Sequence, residues 1–237
     1  MSKSDNYKQL FNQQFLMGPN SVRLLDEMLE KTPMEEGLEV LDLGCGKGLT
    51  SLYLAKEINA HVFATDLWIS ASENYENFKT WGIDNRIVPI HADANDLPYS
   101  NEYFDAIVCI DSFHYFANQK GFLQKKILPL LKKKGKAIIV VPGLKSEIHG
   151  DEPQLMKDWI DDEDNEYEFY HSREWWKNFF GEGEEFEIEQ ELDLDNFGIA
   201  WDDWFLSKHP LSIRDCEFFE KGVNKYLASV GFVIRKN

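Results

Sequence analysis

Residues 40–51 read VLDLGCGKGLTS: an apolar run that takes in one acid, Asp42, and breaks into three glycines before a helix-forming stretch. A glycine-rich turn between a buried strand and a helix is the ligand-holding corner of an open α/β sheet. Gly44, Gly46 and Gly48 lack the β-carbons that would keep a ligand off the backbone. The helix beyond them points its free N–H groups at the same place. The spacing is G-x-G-x-G rather than the G-x-G-x-x-G of dinucleotide-binding turns, which argues against a nicotinamide oxidoreductase.

Working outward, the chain alternates strand and helix. LEVLDL (38–43) is a continuous apolar strand of the buried, parallel kind. LTSLYLAKEI (49–58) has helical spacing, HVFATDL (61–67) is strand, and 70–81 is helix. Strands are expected at 86–93 and 103–111, then a helix at about 120–133 and a fifth strand at 136–143. The basic KKKGK (132–136) reads as the end of that helix, where cations suit the dipole. The pattern predicts a parallel sheet wound on both faces.

Upstream, helices are expected over 4–16 and 21–31, separated by Gly18-Pro19-Asn20. Downstream, residues 144–170 are dense in acids and aromatics without a clear strand. Ser172 can cap a helix over 172–180. Residues 184–195 alternate like an edge strand, 214–228 are helical, and 229–237 form a last strand. The expected organisation is a single domain over 1–237. It has cap helices at 1–34, a ligand-binding core at 35–143, an inserted lid at 144–170, and substrate-side helices with the final strands at 171–237.

Three successive strands end in an acid. Asp66 can accept from both hydroxyls of a ribose, and Asp93 from the amino group of an adenine, with Leu67 and Trp68 packed on the adenine face. Asp42 would repel a pyrophosphate but suits a ligand with an ammonium and a sulfonium. S-Adenosylmethionine carries both cations, a carboxylate for the helix N-terminus, and an adenosine.

VLDLGCGKG resembles the first motif of the class I S-adenosylmethionine-dependent methyltransferases. ATD is similar to their acidic second motif, HADANDLPY to their third, and FDAIVCIDSFHYF to their fourth, so the resemblance covers about residues 35–145. It implies an α/β, Rossmann-like, doubly wound seven-stranded sheet, mostly parallel with an antiparallel final strand. It also implies an enzyme whose cofactor leaves as S-adenosyl-L-homocysteine. Cofactor contacts are implied at Asp42, Gly44, Gly46, Asp66, Asp93, Ala94 and Asp111, with Cys45 and Leu67 beside them. The stretch is most similar to the small-molecule branch that includes phosphoethanolamine N-methyltransferases and ubiquinone/menaquinone-type methyltransferases. YKQLFNQQFLMGPN (7–20) resembles the short helix and loop that covers the cofactor in the amine-methylating branch. By that likeness Tyr7 would help order the site, and Met17–Gly18–Pro19 would close over the methionine end.

Methyl transfer from a sulfonium needs an acceptor held in line, and a base only where the acceptor is protonated. Asp111, His114 and Tyr115 follow the fourth strand and are expected at the mouth. His114 is a candidate base or acceptor-positioning group, and a core histidine is the alternative reading. It stands one residue nearer the acid than the histidine of the amine-methylating enzymes. The catalytic candidates are thus His114, Asp111 and Tyr7, and no metal is expected.

The C-terminal third holds Trp159, Tyr167, Phe169, Tyr170, Trp175, Trp176, Trp201 and Trp204, which could surround a cation or simply pack the insertion. Together with a net charge of −17 they favour a small-molecule amine as the methyl acceptor. Oxygen or carbon methylation of a hydrophobic or quinone-like acceptor, and a non-catalytic S-adenosylmethionine-binding protein, are the alternatives. The acidity argues against nucleic acid and anionic membrane as partners, and no apolar run approaches the roughly 18–20 residues of a membrane span. The polar start lacks a signal-peptide core. Cys45, Cys109 and Cys216 are odd in number and lack metal-ligand spacing. A cytoplasmic monomer or homodimer is the expectation.

Overall fold

Asn20, Ser70 and Ser172 each accept a backbone N–H with the side chain and so start a helix. The computed structural model in which they do so describes residues 2–117, 119–150, 153–160 and 169–237. Ten residues of the expected lid, 151–152 and 161–168, Tyr167 among them, lie outside the described residues.

The strands are β1 (Glu39–Leu43), β2 (His61–Asp66), β3 (Ile87–His91), β4 (Phe104–Ile110), β5 (Leu131–Leu144), β6 (His171–Ser172), β7 (Phe186–Asp193) and β8 (Leu227–Lys236). The helices are α1 (Ser21–Lys31), α2 (Leu49–Glu57), α3 (Ala71–Thr80), α4 (Gln154–Ile160), α5 (Arg173–Phe180), α6 (Phe197–Leu206) and α7 (Pro210–Lys221). The sheet runs β3-β2-β1-β4-β5-β8-β7, with the two-residue β6 beside β5. β8 is antiparallel to both of its neighbours and every other pairing is parallel, as the resemblance implied. The edge position expected for 184–195 is that of β7.

Both faces of the sheet are buried, which is why its strands read as continuous apolar runs. Val40, Val108, Ile138 and Val140 face a core built with α1, α2 and α6. Leu41, Ile107, Ile139 and Val141 alternate onto the other face. There Phe113, Leu123, Ile127 and the α5 residues Trp176 and Phe180 cover them.

Three expected helices differ from the structure, and a further helix was not foreseen. The first helix is a 3-10 turn, Lys3–Leu10, that stops early. Asn12 accepts from the Gln14 N–H and donates to the Gln9 carbonyl, offering the backbone a local alternative to the helix. The helix expected over 120–133 is a π-turn, Leu123–Ile127, followed by a 3-10 turn, Leu128–Leu130. Pro129 lacks the N–H that would continue it. KKKGK therefore lies within β5, where an irregularity in the β4 register accommodates it and Lys132 pairs with Asp105. α6 was not foreseen, and α7 starts four residues earlier than expected, at His209-Pro210, where His209 caps and Pro210 fits the first turn. It ends at Gly222, whose φ of +101° closes it.

Candidate active site

The strand order reverses between β1 and β4, and an open α/β sheet leaves a crevice at that point. The turns after β1, β2, β3 and β4 supply Gly44–Lys47, Asp66–Trp68, Ala92–Ala94 and Asp111–Ser112 to one cavity, which Phe15–Pro19 cover. Its volume, open mouth included, is about 1170 Å³.

The glycines of the turn divide their work. A β-carbon on Gly44 would stand 2.4 Å from Ser112 Oγ, and one on Gly48 would stand 2.4 Å from the Phe78 ring. Both have positive φ, so these two glycines are demanded by the protein's own packing. A β-carbon on Gly46 would meet the Met17 sulfur, in the cover, at 3.2 Å.

The four acids sit in different surroundings. Asp66 accepts from the Gly46 N–H on one oxygen and from the Trp68 and Ile69 N–H groups on the other, each at 2.8 Å. It therefore ties the β1 turn to the β2 turn and keeps little accepting capacity for a ligand. Asp93 is exposed in the wall and accepts from the Asn95 backbone and side chain, which hold its carboxyl below the usual range. Asp111 has a φ of +57°, its N–H donates to the Val140 carbonyl at 2.8 Å, and its carboxylate has no hydrogen-bond partner among the described residues. Burial pushes its carboxyl up to about 7.

Asp42 departs from its expected place. It is 1% exposed, lies beneath the turn outside the cavity wall, and accepts from Ser51 Oγ at 2.6 Å and Thr50 Oγ1 at 2.7 Å. Burial pushes it up to about 6 against the pull of those hydroxyls. It fastens the start of α2 to β1 and does not line the cavity.

Tyr7 is also outside this wall. Its hydroxyl donates to Glu57 at 2.7 Å and its ring packs on Tyr53, behind the cavity, because the 3-10 turn docks on the far end of α2. His114 is 6% exposed and not in the wall, and its Nδ1 has no partner among the described residues. Burial lowers it to about 3, so it is neutral and a poor base. Gly44, Cys45, Gly46, Asp66, Leu67, Asp93, Ala94 and Asp111 do line the cavity. The Cys45 thiol is pushed far up by burial and is not a nucleophile. Trp68 and Tyr115, both largely exposed, meet edge-on at 4.9 Å across the mouth.

Residues 40–135 match the family model described as a methyltransferase domain. The match takes in the glycine-rich turn and the strands β1 to β4 whose ends line the cavity. Among characterised relatives, a glycine/sarcosine/dimethylglycine N-methyltransferase of Actinopolyspora halophila is 30% identical over 125 residues, 52% of this chain and 22% of the relative. A 27-O-demethylrifamycin SV methyltransferase of Amycolatopsis mediterranei is 30% identical over 103 residues, 42% of this chain and 37% of its own. The chain thus spans well under half the length of these two relatives. The solved phosphoethanolamine N-methyltransferase 2 of Haemonchus contortus, in complex with S-adenosyl-L-methionine, shares the fold with a TM-score of 0.72 at 18% identity. That match covers 100% of this chain and 57% of the other.

Three supports of the cavity escaped the sequence reading. Ser112 donates to the Leu43 carbonyl at 3.0 Å and sets how closely the β4 turn approaches the β1 turn. Asn74 is buried in α3 and donates to the Gly46 carbonyl at 2.9 Å. Its signal was there: an amide four residues before Phe78, on the one buried stripe of α3. Lys47, in the wall and 3.7 Å from Glu73, left no pattern to find.

Proposed function

We propose that the protein transfers a methyl group from S-adenosylmethionine to a small-molecule acceptor, at an amine nitrogen. The observation that carries this is Asp111: a half-buried carboxylate, unpaired among the described residues, at the switch-point cavity beside the covering segment. A carboxylate left without a cation inside a protein is costly, and a cationic ligand supplies the missing partner. The rest of the wall suits the same ligand. Exposed backbone at Gly44–Lys47 stands at the start of α2, Asp93 is open to a nucleoside amino group, and Leu67 and Trp68 present apolar surface for a base.

When bound, the cofactor supplies an electrophilic methyl on a sulfonium. The chain's own part is to hold and enclose. Asp111 would face the positive charge, Gly44–Lys47 would admit close approach, and Phe15–Pro19 would exclude water from one side. Trp68 and Tyr115 meet at the exposed mouth, where an acceptor would enter, and aromatic faces suit a cation.

The acidity of the chain favours a cationic acceptor over nucleic acid. A second reading rests on Phe15, Leu16, Leu43, Leu49 and Phe116, which make much of the wall apolar. They suit a hydrophobic acceptor methylated at oxygen or carbon. No helix among the described residues is long and apolar enough to cross a membrane, and all three cysteines are free, which supports a reducing, cytoplasmic setting.

The test is to incubate the protein with methyl-labelled S-adenosylmethionine and a desalted metabolite extract, then separate the label by charge and extractability. Label in small cations supports amine methylation. Label in neutral, extractable compounds moves the reading to oxygen or carbon. Cofactor binding without any transfer leaves a binding module in its place.

A further inference from the structure

β5 has β8 along one edge as far as Leu144, so β4 and β6 must share the other. On that edge Ile110, at the end of β4, lies opposite Val140, and His171 lies opposite Gly143. Three residues of strand separate the two levels, about 10 Å at a rise of about 3.3 Å per residue. β6 therefore continues the line of β4 just beyond the turn that carries Asp111. Phe169 closes the gap, with its ring 5.5 Å from those of both His114 and Tyr115.

His171 is held as a proton acceptor is held. Its Nδ1 is 2.8 Å from Glu147 Oε1, and the other Glu147 oxygen accepts from the Ser172 N–H at 2.7 Å. The carboxylate is thus fixed, and it selects the tautomer with the proton on Nδ1. One face of the imidazole stacks on Trp175 at 3.5 Å and 6°. Nε2, on the far side of the ring from Glu147, has no hydrogen-bond partner among the described residues, and the side chain is 20% exposed. A fixed carboxylate, an oriented imidazole and a bare Nε2 make up the base half of a catalytic triad.

We propose that His171, oriented by Glu147, is the base that takes the proton from the methyl acceptor, so that the acceptor's nucleophile is a protic N–H or O–H group and not a bare carbon. The inference rests on the methyl-transfer reading. The acceptor's N–H or O–H bond breaks as its nitrogen or oxygen bonds to the methyl carbon. The proton passes to Nε2, the carbon–sulfur electron pair stays on sulfur, and S-adenosylhomocysteine leaves neutral at sulfur. Glu147 stabilises the imidazolium until water takes the proton. This moves the basic role from His114, which is buried and neutral, to a histidine with an open nitrogen.

The experiment uses the full chain and His171→Ala, His171→Gln and Glu147→Gln, with three readouts. First, nitrogen-15 NMR of histidine-labelled protein reports the tautomer, expected as Nδ1–H with Nε2 bare. Second, calorimetric titration with S-adenosylmethionine is expected to give affinities within about twofold of the parent for all three variants, since neither residue lines the cofactor cavity. Third, label transfer into the metabolite extract is expected to fall about 100-fold or more in both His171 variants. Added imidazole should restore transfer to His171→Ala, where it has room to bind, and not to His171→Gln. A proton on Nε2, parental transfer in His171→Gln, or loss without rescue in a folded His171→Ala would overturn the assignment. A parent that binds S-adenosylmethionine and labels nothing in the extract would sink the methyl-transfer reading and this role with it.

Discussion

Asp42, Asp66, Asp93 and Asp111 stand at or near the ends of four successive strands, and their surroundings give them different work. Hydroxyls hold Asp42, backbone N–H groups hold Asp66, Asn95 holds Asp93, and nothing described holds Asp111. A half-buried carboxyl held up to about 7 makes the ligand-free fold pH-sensitive. Its contribution is fully present below the usual carboxylate range and is lost as pH rises through about 7, because the unfolded chain ionises earlier. Urea midpoints of the ligand-free protein are expected to fall between about pH 5 and about pH 7.5, and Asp111→Asn is expected to flatten that fall. An unchanged slope would mean that the carboxyl is not held up by burial. The strand-end acids were legible because strand, acid and turn are adjacent in sequence. Which of them faces the cavity was not legible, because that depends on Thr50, Ser51 and three backbone N–H groups that converge only in the fold. The same reason explains His114 and His171: their adjoining sequences look alike, and only packing separates a sealed ring from an open one.

Among the elements, the turn between β1 and α2 is the most constrained. Gly48→Ala places a β-carbon at positive φ and against the buried Phe78 ring. It is expected to cost about 2–4 kcal/mol in urea unfolding. Phe78→Leu added to it should recover part of that loss, since the two changes share one contact. Besides Tyr7, a buried guanidinium anchors the 3-10 turn that leads into the covering segment. Arg23 in α1 is 2% exposed, donates to Asp5 at 2.7 Å and Ser4 at 3.0 Å in the 3-10 turn, and reaches Asp203 of α6 at 2.8 Å. Arg23→Leu strips both acids of that partner and is expected to cost about 3–5 kcal/mol. It should also weaken S-adenosylmethionine binding, because Phe15–Pro19 hang between the turn and α1. A loss under about 1 kcal/mol would show that the network is not the anchor. Strands with continuous apolar runs were read to within a residue or two at most ends. The helices after residue 195 were not, since α6 is apolar on most sides and its period is hidden among aromatics.

For the whole molecule, 42 acids against 25 bases leave a net charge of −17 that the compact state must hold together. Salt screens such repulsion, with a Debye length falling from about 30 Å at 0.01 M to about 3 Å at 1 M. The melting temperature is expected to rise across that range, and a flat response would mean that local pairs already balance the charge. The parallel, doubly wound class followed from alternating strands and helices. The order β3-β2-β1-β4-β5-β8-β7 is visible only in the structure, because long-range pairing leaves no local trace in composition. The central claim is that the switch-point cavity holds a cationic methyl donor against Asp111. Calorimetric titration of S-adenosylmethionine into the parent and Asp111→Asn, at about pH 6 and about pH 7.5, tests it most directly. With the Asp111 carboxyl ionising near 7, the parent should bind several-fold more tightly at the higher pH. Asp111→Asn should bind weakly at both. Equal affinity in parent and variant, or none in the parent, would contradict the account.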